Sequence, residues 1–335
     1  MKIGIDISQI AHPGGVATYT KNLVIQLIRN HKLQIVPFYS SLRKPYKGEI
    51  PNVKSFNFPP ILLEFLFNKL RVPIDLFIGE TDIFHSSDWM QPKTKAKKIT
   101  TYHDLIPIKF PQWSHPKIVK VHQKRLKIVE NEIDMIIAVS ESTKQDLLEV
   151  SKIPEEKITV IYEAADPIFK VEDEKKVEVF RKKYNLPNIF LLAIGGVGKR
   201  RNLENIKKAS LNTPLIITGQ NIPHLSIEEM SLLYNSSAAL VYTSFYEGFG
   251  LPILEAMQSG TPVITSNLSS MAEIAAENAF LANPKEINSI KEGIKTVLAK
   301  RDYYRKKGLE HSKKFSWEKC AEKTEALYQK LYESP

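Results

Sequence analysis

Two glutamates, Glu247 and Glu255, stand eight positions apart in the stretch 243–261, TSFYEGFGLPILEAMQSGT. Between them Gly248, Gly250 and Pro252 make a turn that opens a helix over 253–258, and a short apolar strand, 238–242, precedes them. Proline suits the first turn of a helix, and Ser259-Gly260 suits its end. A strand, a glycine turn and a helix start together leave N–H groups pointing outward and add the partial positive charge of the helix dipole, which is an anion-binding geometry. Glu255 is flanked by Ile253, Leu254, Ala256 and Met257. A carboxylate buried among such residues needs a partner. A vicinal diol, such as a ribose, offers two O–H donors to one carboxylate. The plainer alternative is a glutamate on the solvent side of an ordinary helix.

Three other loops carry candidate chemistry. The stretch 195–203, GGVGKRRNL, brings Arg200 and Arg201 into a helix start. It is not a P-loop, which needs Gly at 193 and Ser or Thr at 200, where Ala193 and Arg200 stand. Its glycines do not make G-x-G-x-x-G, and no acidic residue ends the next strand, 215–218. Two cations at a helix N-terminus oppose the dipole, and a bound anion resolves the conflict; otherwise they are solvated surface arginines. Gly14 and Gly15 open a helix after the first strand, letting backbone approach a bulky anion or simply making a turn. His103 follows the strand 99–102, at the end of the sheet where ligands bind. A histidine in a polar turn capped by Asp104 fits the same residues. No Asp-x-Asp follows a strand and no His/Cys cluster has metal-ligand spacing, so chemistry without a metal is expected.

Such loops need a scaffold that brings strand ends together. Strand-like runs at 3–7, 33–38, 82–85, 99–102, 134–139 and 158–162 alternate with helical patterns. The first helix is marked by Tyr19, Leu23 and Leu27 at i, i+4 and i+8. After the charged stretch 166–183 a second series follows, at 189–194, 215–218, 239–242, 262–265 and 279–282. The α/β alternation predicts doubly wound parallel sheets. Two Rossmann-like domains are expected, 1–165 and 166–315, with a C-terminal helix, 316–335, free to pack back onto the first.

The 335 residues suit two domains, and 43% hydrophobic with 25% charged residues is ordinary for a soluble globular chain. The lone Cys320 excludes an intramolecular disulfide and leaves the reducing cytosol as the expected compartment. No signal peptide precedes the first strand, and no apolar run reaches about 18 residues. The net charge of +10 is concentrated: the window 93–127 holds ten Lys/Arg and one acidic residue, Asp104. Lys117, Lys120, Lys124 and Lys127 fall on one stripe of a helix that Pro116 starts. With the apolar run 61–67, ILLEFLF, they could seat the first domain on an anionic leaflet. They also fit a solvated helix face beside a core helix. Tyr102, Phe110 and Trp113 lie in the same window and are possible stacking groups for a nucleic acid. That reading leaves the glycine loops and paired glutamates idle, so no nucleic-acid partner is expected.

The phrase EGFGLPILEA at 247–256 resembles the C-terminal signature of the retaining glycosyltransferases of family 4, which have the two-domain GT-B fold. HDLIP at 103–107 resembles the same family, as do Arg200-Arg201-Asn202, VSESTKQDL at 139–147 and SNLSSMAE at 266–273. The resemblance covers nearly the whole chain. It implies two Rossmann-like domains facing across a cleft, the first for the acceptor and the second for the donor. The second is somewhat shortened, with room between Leu203 and Ala238 for little more than one strand, 215–218, and one helix, 226–234. It implies a retaining, metal-independent transfer of a hexose from a nucleotide diphosphate sugar to a hydroxyl of a glycan or lipid-linked acceptor, with no other cofactor.

Residue by residue, the resemblance implies that His103 touches the donor sugar and that Arg200 and Arg201 neutralise the leaving diphosphate. The family usually has lysine at the second of these two places. Gly14 and Gly15 would lie against the diphosphate. Glu247 would bind sugar hydroxyls beside the backbone of Gly248, Phe249, Gly250 and Leu251, and Glu255 would bind the ribose diol. Glu163-Ala164-Ala165-Asp166 departs from the Asn-Gly of many members. HDLIP is similar to members that use GDP-mannose in surface-polysaccharide assembly; with the lone cysteine and the lysine stripe, the expected place is the cytoplasm, with a peripheral seat on the inner membrane face as the alternative to a free protein. The same fold serves sugar epimerases and phosphorylases. No identifiable pyridoxal-phosphate lysine motif supports a phosphorylase.

Overall fold

The computed structural model describes residues 1–12, 14–29, 32–196, 198–210 and 212–334; Pro13 and Val197, members of two of the glycine loops, lie outside them. The chain forms two compact units, Met1–Glu163 with Trp317–Pro335, and Ala164–Ser316.

In the first unit seven strands make one parallel sheet: β1 (Lys2–Asp6), β2 (Gln34–Ser40), β3 (Lys54–Phe56), β4 (Ile83–Ser86), β5 (Lys97–Tyr102), β6 (Met135–Ala138) and β7 (Ile158–Val160). Their order is β3-β2-β1-β4-β5-β6-β7. Parallel neighbours cannot be joined by tight turns, so helices cross between them and cover the faces. The helix Gly15–Arg29 buries Tyr19, Leu23 and Leu27, the stripe its spacing marks, and leaves Lys21 and Arg29 exposed. β3 has no counterpart among the expected strands: it is three residues, Lys-Ser-Phe, at the sheet edge, too short and polar to show a period. The helix Trp317–Glu333 belongs to this unit. Trp317 is buried with its ring 6.0 Å from that of Tyr19, and Tyr328 Oη lies 2.6 Å from His85 Nδ1 on β4. The strand order reverses between β1 and β4, so the loops leaving these two strands diverge and open a crevice at their carboxyl ends.

The second unit has five parallel strands, β8 (Leu191–Ala193), β9 (Leu215–Ile217), β10 (Ala239–Tyr242), β11 (Val263–Ser266) and β12 (Phe280–Ala282), in the order β12-β11-β10-β8-β9. Each central strand is buried on both faces, which is why it reads as an unbroken apolar run rather than an alternation. The helix Ile287–Ala299 closes one face with Ile290, Ile294 and Val297. Between Leu203 and Ala238 lie β9 and the helix Ile227–Ser236, which starts on a capping box of Ser226 and Glu229. Here the order reverses between β8 and β10. The loops after those two strands hold Arg200, Arg201 and Glu247.

Candidate active site

The loop after β8 starts on a glycine that nothing else can replace. Gly195 donates its N–H to Thr218 Oγ1 at 2.8 Å, and a Cβ there would lie 1.9 Å from the Thr218 carbonyl oxygen. The chain then makes a short 3-10 turn, Lys199–Arg201, and Asn202 follows in the left-handed region at φ 57°. Asparagine tolerates that region, and the buried Asn202 amide uses it to reach two carbonyls, Thr243 O at 3.0 Å and Pro284 O at 2.7 Å. The Phe245 N–H donates to Arg200 O at 2.9 Å. The arginine turn is thus fastened to the loop after β10.

The two arginines converge on one carboxylate. Arg200 Nη1 pairs with Glu247 Oε2, and Arg201 Nη1 lies 3.1 Å from Glu247 Oε1. Arg201 also donates to the hydroxyl of Tyr242, with its guanidinium 5.1 Å from that ring's centre. Arg200 donates to Tyr246 O at 3.2 Å. Serines hold the glutamate's own backbone: its N–H donates to Ser269 Oγ at 3.1 Å, and its carbonyl accepts from Ser270 Oγ at 2.8 Å. Burial alone would raise the carboxyl pKa of Glu247, but the charges of Arg201 and Arg200 outweigh it and hold it below the ordinary value. Two guanidiniums share one carboxylate, so the cluster keeps a net positive charge. Each arginine side chain retains about a fifth of its surface, 20% and 19%, so that charge remains reachable by an anion.

Glu255 sits on the helix Leu251–Gln258, whose N-cap Gly250 has φ 101°, a conformation that suits glycine, and whose first turn carries Pro252. Tyr234, fully buried on the helix before β10, donates its hydroxyl to Glu255 Oε2 at 2.7 Å. Glu255 keeps part of its surface but is hemmed in. Burial pushes its pKa up to about 7, against the Tyr234 hydrogen bond and the charge of Arg201, and Asp166 adds to the rise. Arg201 is therefore felt by both glutamates. Phe249 is buried with its ring 6.4 Å from Phe315, and its carbonyl accepts from Ser270 Oγ at 2.9 Å, so its backbone and not its side chain serves this loop. Gly248, Phe249, Gly250 and Leu251 form the turn between the two glutamates. Tyr234 and Tyr242 carry no signal in the sequence, whereas Asn202 closes the Arg200-Arg201-Asn202 phrase.

The remaining candidates lie in the first unit. Gly14 precedes, and Gly15 begins, the helix that follows β1. His103 follows β5, with Nδ1 2.8 Å from Glu163 Oε1 and its ring edge-on to Tyr19 at 4.7 Å between centroids. On the helix Pro116–Glu132, Lys117, Lys120 and Lys127 are exposed and Lys124 is partly so. Arg125, in the middle of the basic window, is no part of that face. It is 1% exposed, lies 3.8 Å above the Tyr102 ring centre, and donates to Thr100 Oγ1 at 3.0 Å and Thr101 O at 2.9 Å. The apolar run divides as well: Leu63 and Phe67 are fully buried, while Ile61 is 79% exposed and Phe65 43%. Among the described residues no group of His, Cys, Asp and Glu is placed to hold a metal, and no helix is long and apolar enough to cross a membrane.

Residues 144–314 match the family model of the glycosyl transferases group 1, and residues 13–168 match that of glycosyltransferase family 4. The chain is 27% identical over 284 residues to the O-antigen chain mannosyltransferase B of Escherichia coli, covering 74% of each. Among solved structures, sucrose-phosphate synthase from Thermosynechococcus elongatus superposes with a TM-score of 0.79 at 19% identity, over 99% of both chains. Anabaena Alr3699/HepE in complex with UDP-glucose superposes with a TM-score of 0.73 at 16% identity, over 98% of this chain and 100% of the other.

Proposed function

This chain belongs to the group 1 glycosyl transferases, and we propose that it moves a hexose with retention from a nucleotide diphosphate sugar to a hydroxyl of a glycan or lipid-linked acceptor in polysaccharide assembly. The observation that carries the reading is the convergence of Arg200 and Arg201 on Glu247 where the second sheet reverses order. A diphosphate gains charge as the glycosidic bond breaks, and fixed cations stabilise growing charge best because they need no reorganisation. Glu247 holds both guanidiniums ready and keeps them from collapsing onto solvent or each other. Glu255 accepts from the ribose hydroxyls, with Tyr234 fixing one of its oxygens. The backbone of Gly248 to Leu251 receives the sugar. The departing phosphate oxygen takes the acceptor's proton, which gives retention without a protein base and without a metal.

Mannose from GDP-mannose is the proposed donor, supported by the name of the E. coli relative and by HDLIP at 103–107. The nucleotide-sugar class also draws support from the UDP-glucose complex of a structural neighbour. The exposed lysines of the helix Pro116–Glu132, with Ile61 and Phe65, fit a peripheral seat on an anionic membrane. The test is to incubate the protein with labelled nucleotide sugars and a mannose-terminated primer, with and without a chelator, and to read the product's anomeric configuration by NMR. Chelator-resistant transfer with retention is expected. Inversion, or transfer from none of the donors, overturns the reading.

A further inference from the structure

Glu163 has no role in the function above, and it stands where many members of the resembling family carry asparagine. The structure gives it a partner. It is 3% exposed, the last residue of the first unit, and its Oε1 lies 2.8 Å from His103 Nδ1. A carboxylate can only accept, so the imidazole carries its proton on Nδ1, and the other nitrogen, Nε2, is turned away from Glu163. The Tyr19 ring, edge-on at 4.7 Å, packs the imidazole from the side. The ring therefore has one orientation, with Nδ1 protonated toward Glu163.

Resting on the glycosyltransferase reading, we propose that Glu163 is a positioning residue that keeps His103 an imidazolium, so that Nε2–H donates a hydrogen bond to an oxygen of the transferred sugar. The charges around the ring agree. Asp104 is its chain neighbour, Glu163 comes from the segment after β7, and Asp88 comes from the loop after β4. All three favour the protonated ring, and together they overcome burial, which alone would discharge it. Asp88 is in turn held anionic against its own burial by His103 and Arg125, and Gln9 Nε2 donates to it at 3.0 Å. The two nearby histidines add no competing charge. His85, on β4, is buried between Tyr328 and Thr101 and is driven down to about 3 by burial and by His103. His122 is driven down to about 4 by burial and by Arg125. Tyr19 and Cys320, on the two helices that pack beside Glu163, are held neutral by burial, with Glu163 adding to the effect. Arg125 is the one cation among these neighbours, and it is bound to the backbone at β5 and stacked on Tyr102. An asparagine at 163 could orient the ring but could not hold its charge.

The test compares the full chain with Glu163→Gln, which keeps a hydrogen-bonding group and removes the charge, and Glu163→Asp, which keeps the charge and withdraws it by one methylene. Histidine side-chain NMR, with His103→Ala to assign the resonance, should show His103 charged at neutral pH in the parent. In Glu163→Gln its titration should move toward acid by about one unit or more, the effect of losing one adjacent carboxylate. The alkaline limb of kcat should move with it, while the donor KM stays within about twofold. Glu163→Asp should fall between the two, and it carries the test if Glu163→Gln does not fold. A His103 titration that is the same in all three proteins overturns the proposal, as does a kcat limb that stays in place. The NMR readout needs no turnover. Coupling seen by NMR in a protein that transfers no sugar therefore supports the Glu163–His103 link and overturns the glycosyltransferase reading instead.

Discussion

The two units place charged side chains at the same kind of position, the carboxyl ends of parallel strands, and arrive at opposite electrostatics. In the second unit two arginines share Glu247 and leave a surplus of positive charge. In the first, Glu163, Asp88 and Asp104 surround His103 and favour its cationic form. The same topology thus supplies a cation clamp on one sheet and a carboxylate-rich nest on the other. A fold of parallel strands fixes where a site lies, and a few loop residues decide whether it takes an anion or hydroxyls.

The comparison breaks first at the arginines. Arg200→Ala and Arg201→Ala should each lower kcat about 10²-fold or more, the scale of losing one preorganised donor to a developing charge, as steady-state kinetics will show. Lysine at either place should cost less, because charge matters more there than the fork. Near-normal turnover in both alanine variants would remove the cation clamp. His103→Ala should lower kcat about tenfold to a hundredfold, the worth of one hydrogen bond from a charged donor. Calorimetry should find its affinity for the nucleotide diphosphate unchanged, because the proposed diphosphate ligands are Arg200 and Arg201. A large loss of diphosphate affinity would erase the division between the units.

Glu255→Ala should raise the donor KM about tenfold with little change in kcat, because ribose is held alike in ground and transition states. With a pKa pushed up to about 7, Glu255 is protonated on the acid side of neutrality. The donor KM should therefore rise as pH falls through about 7, and the slope should vanish in Glu255→Gln. The sign for stability is the reverse of the usual carboxylate. The folded state keeps a proton that the unfolded chain releases at about 4.3. Stability from this group thus falls as pH rises between those values, and Glu255→Gln should flatten a pH series of melting temperatures. The smallest effect concerns the surface: Lys120→Glu with Lys124→Glu should weaken sedimentation with anionic vesicles about fivefold per lysine, near 1 kcal/mol each. Equal binding by the variant would assign these lysines to a merely solvated face.

Local pattern alone gives the α/β class, the two parallel sheets and the loops on which chemistry sits. Parallel strands buried on both faces must be continuous apolar runs, and helices crossing between them must carry a stripe such as Tyr19, Leu23 and Leu27. Those are local patterns, and a linear reading finds them. It missed β3, because three residues at an edge carry no period. It took Glu247 for a sugar ligand and the arginines for phosphate ligands, and it did not foresee that one grips the others. The basic window 93–127 includes Arg125, which is buried against the Tyr102 ring, and in ILLEFLF, which fits either an apolar patch or a core helix, Leu63 and Phe67 turn inward while Ile61 and Phe65 stay exposed. Glu163 shows in the sequence only as a departure from the family pattern, with no role, and Tyr234 carries no signal. Each of these outcomes is a contact across a large separation in sequence: Arg201 to Tyr242, Tyr234 to Glu255, His103 to Glu163. Such partners are chosen by the register of the strands that carry them, and only the assembled sheets set that register.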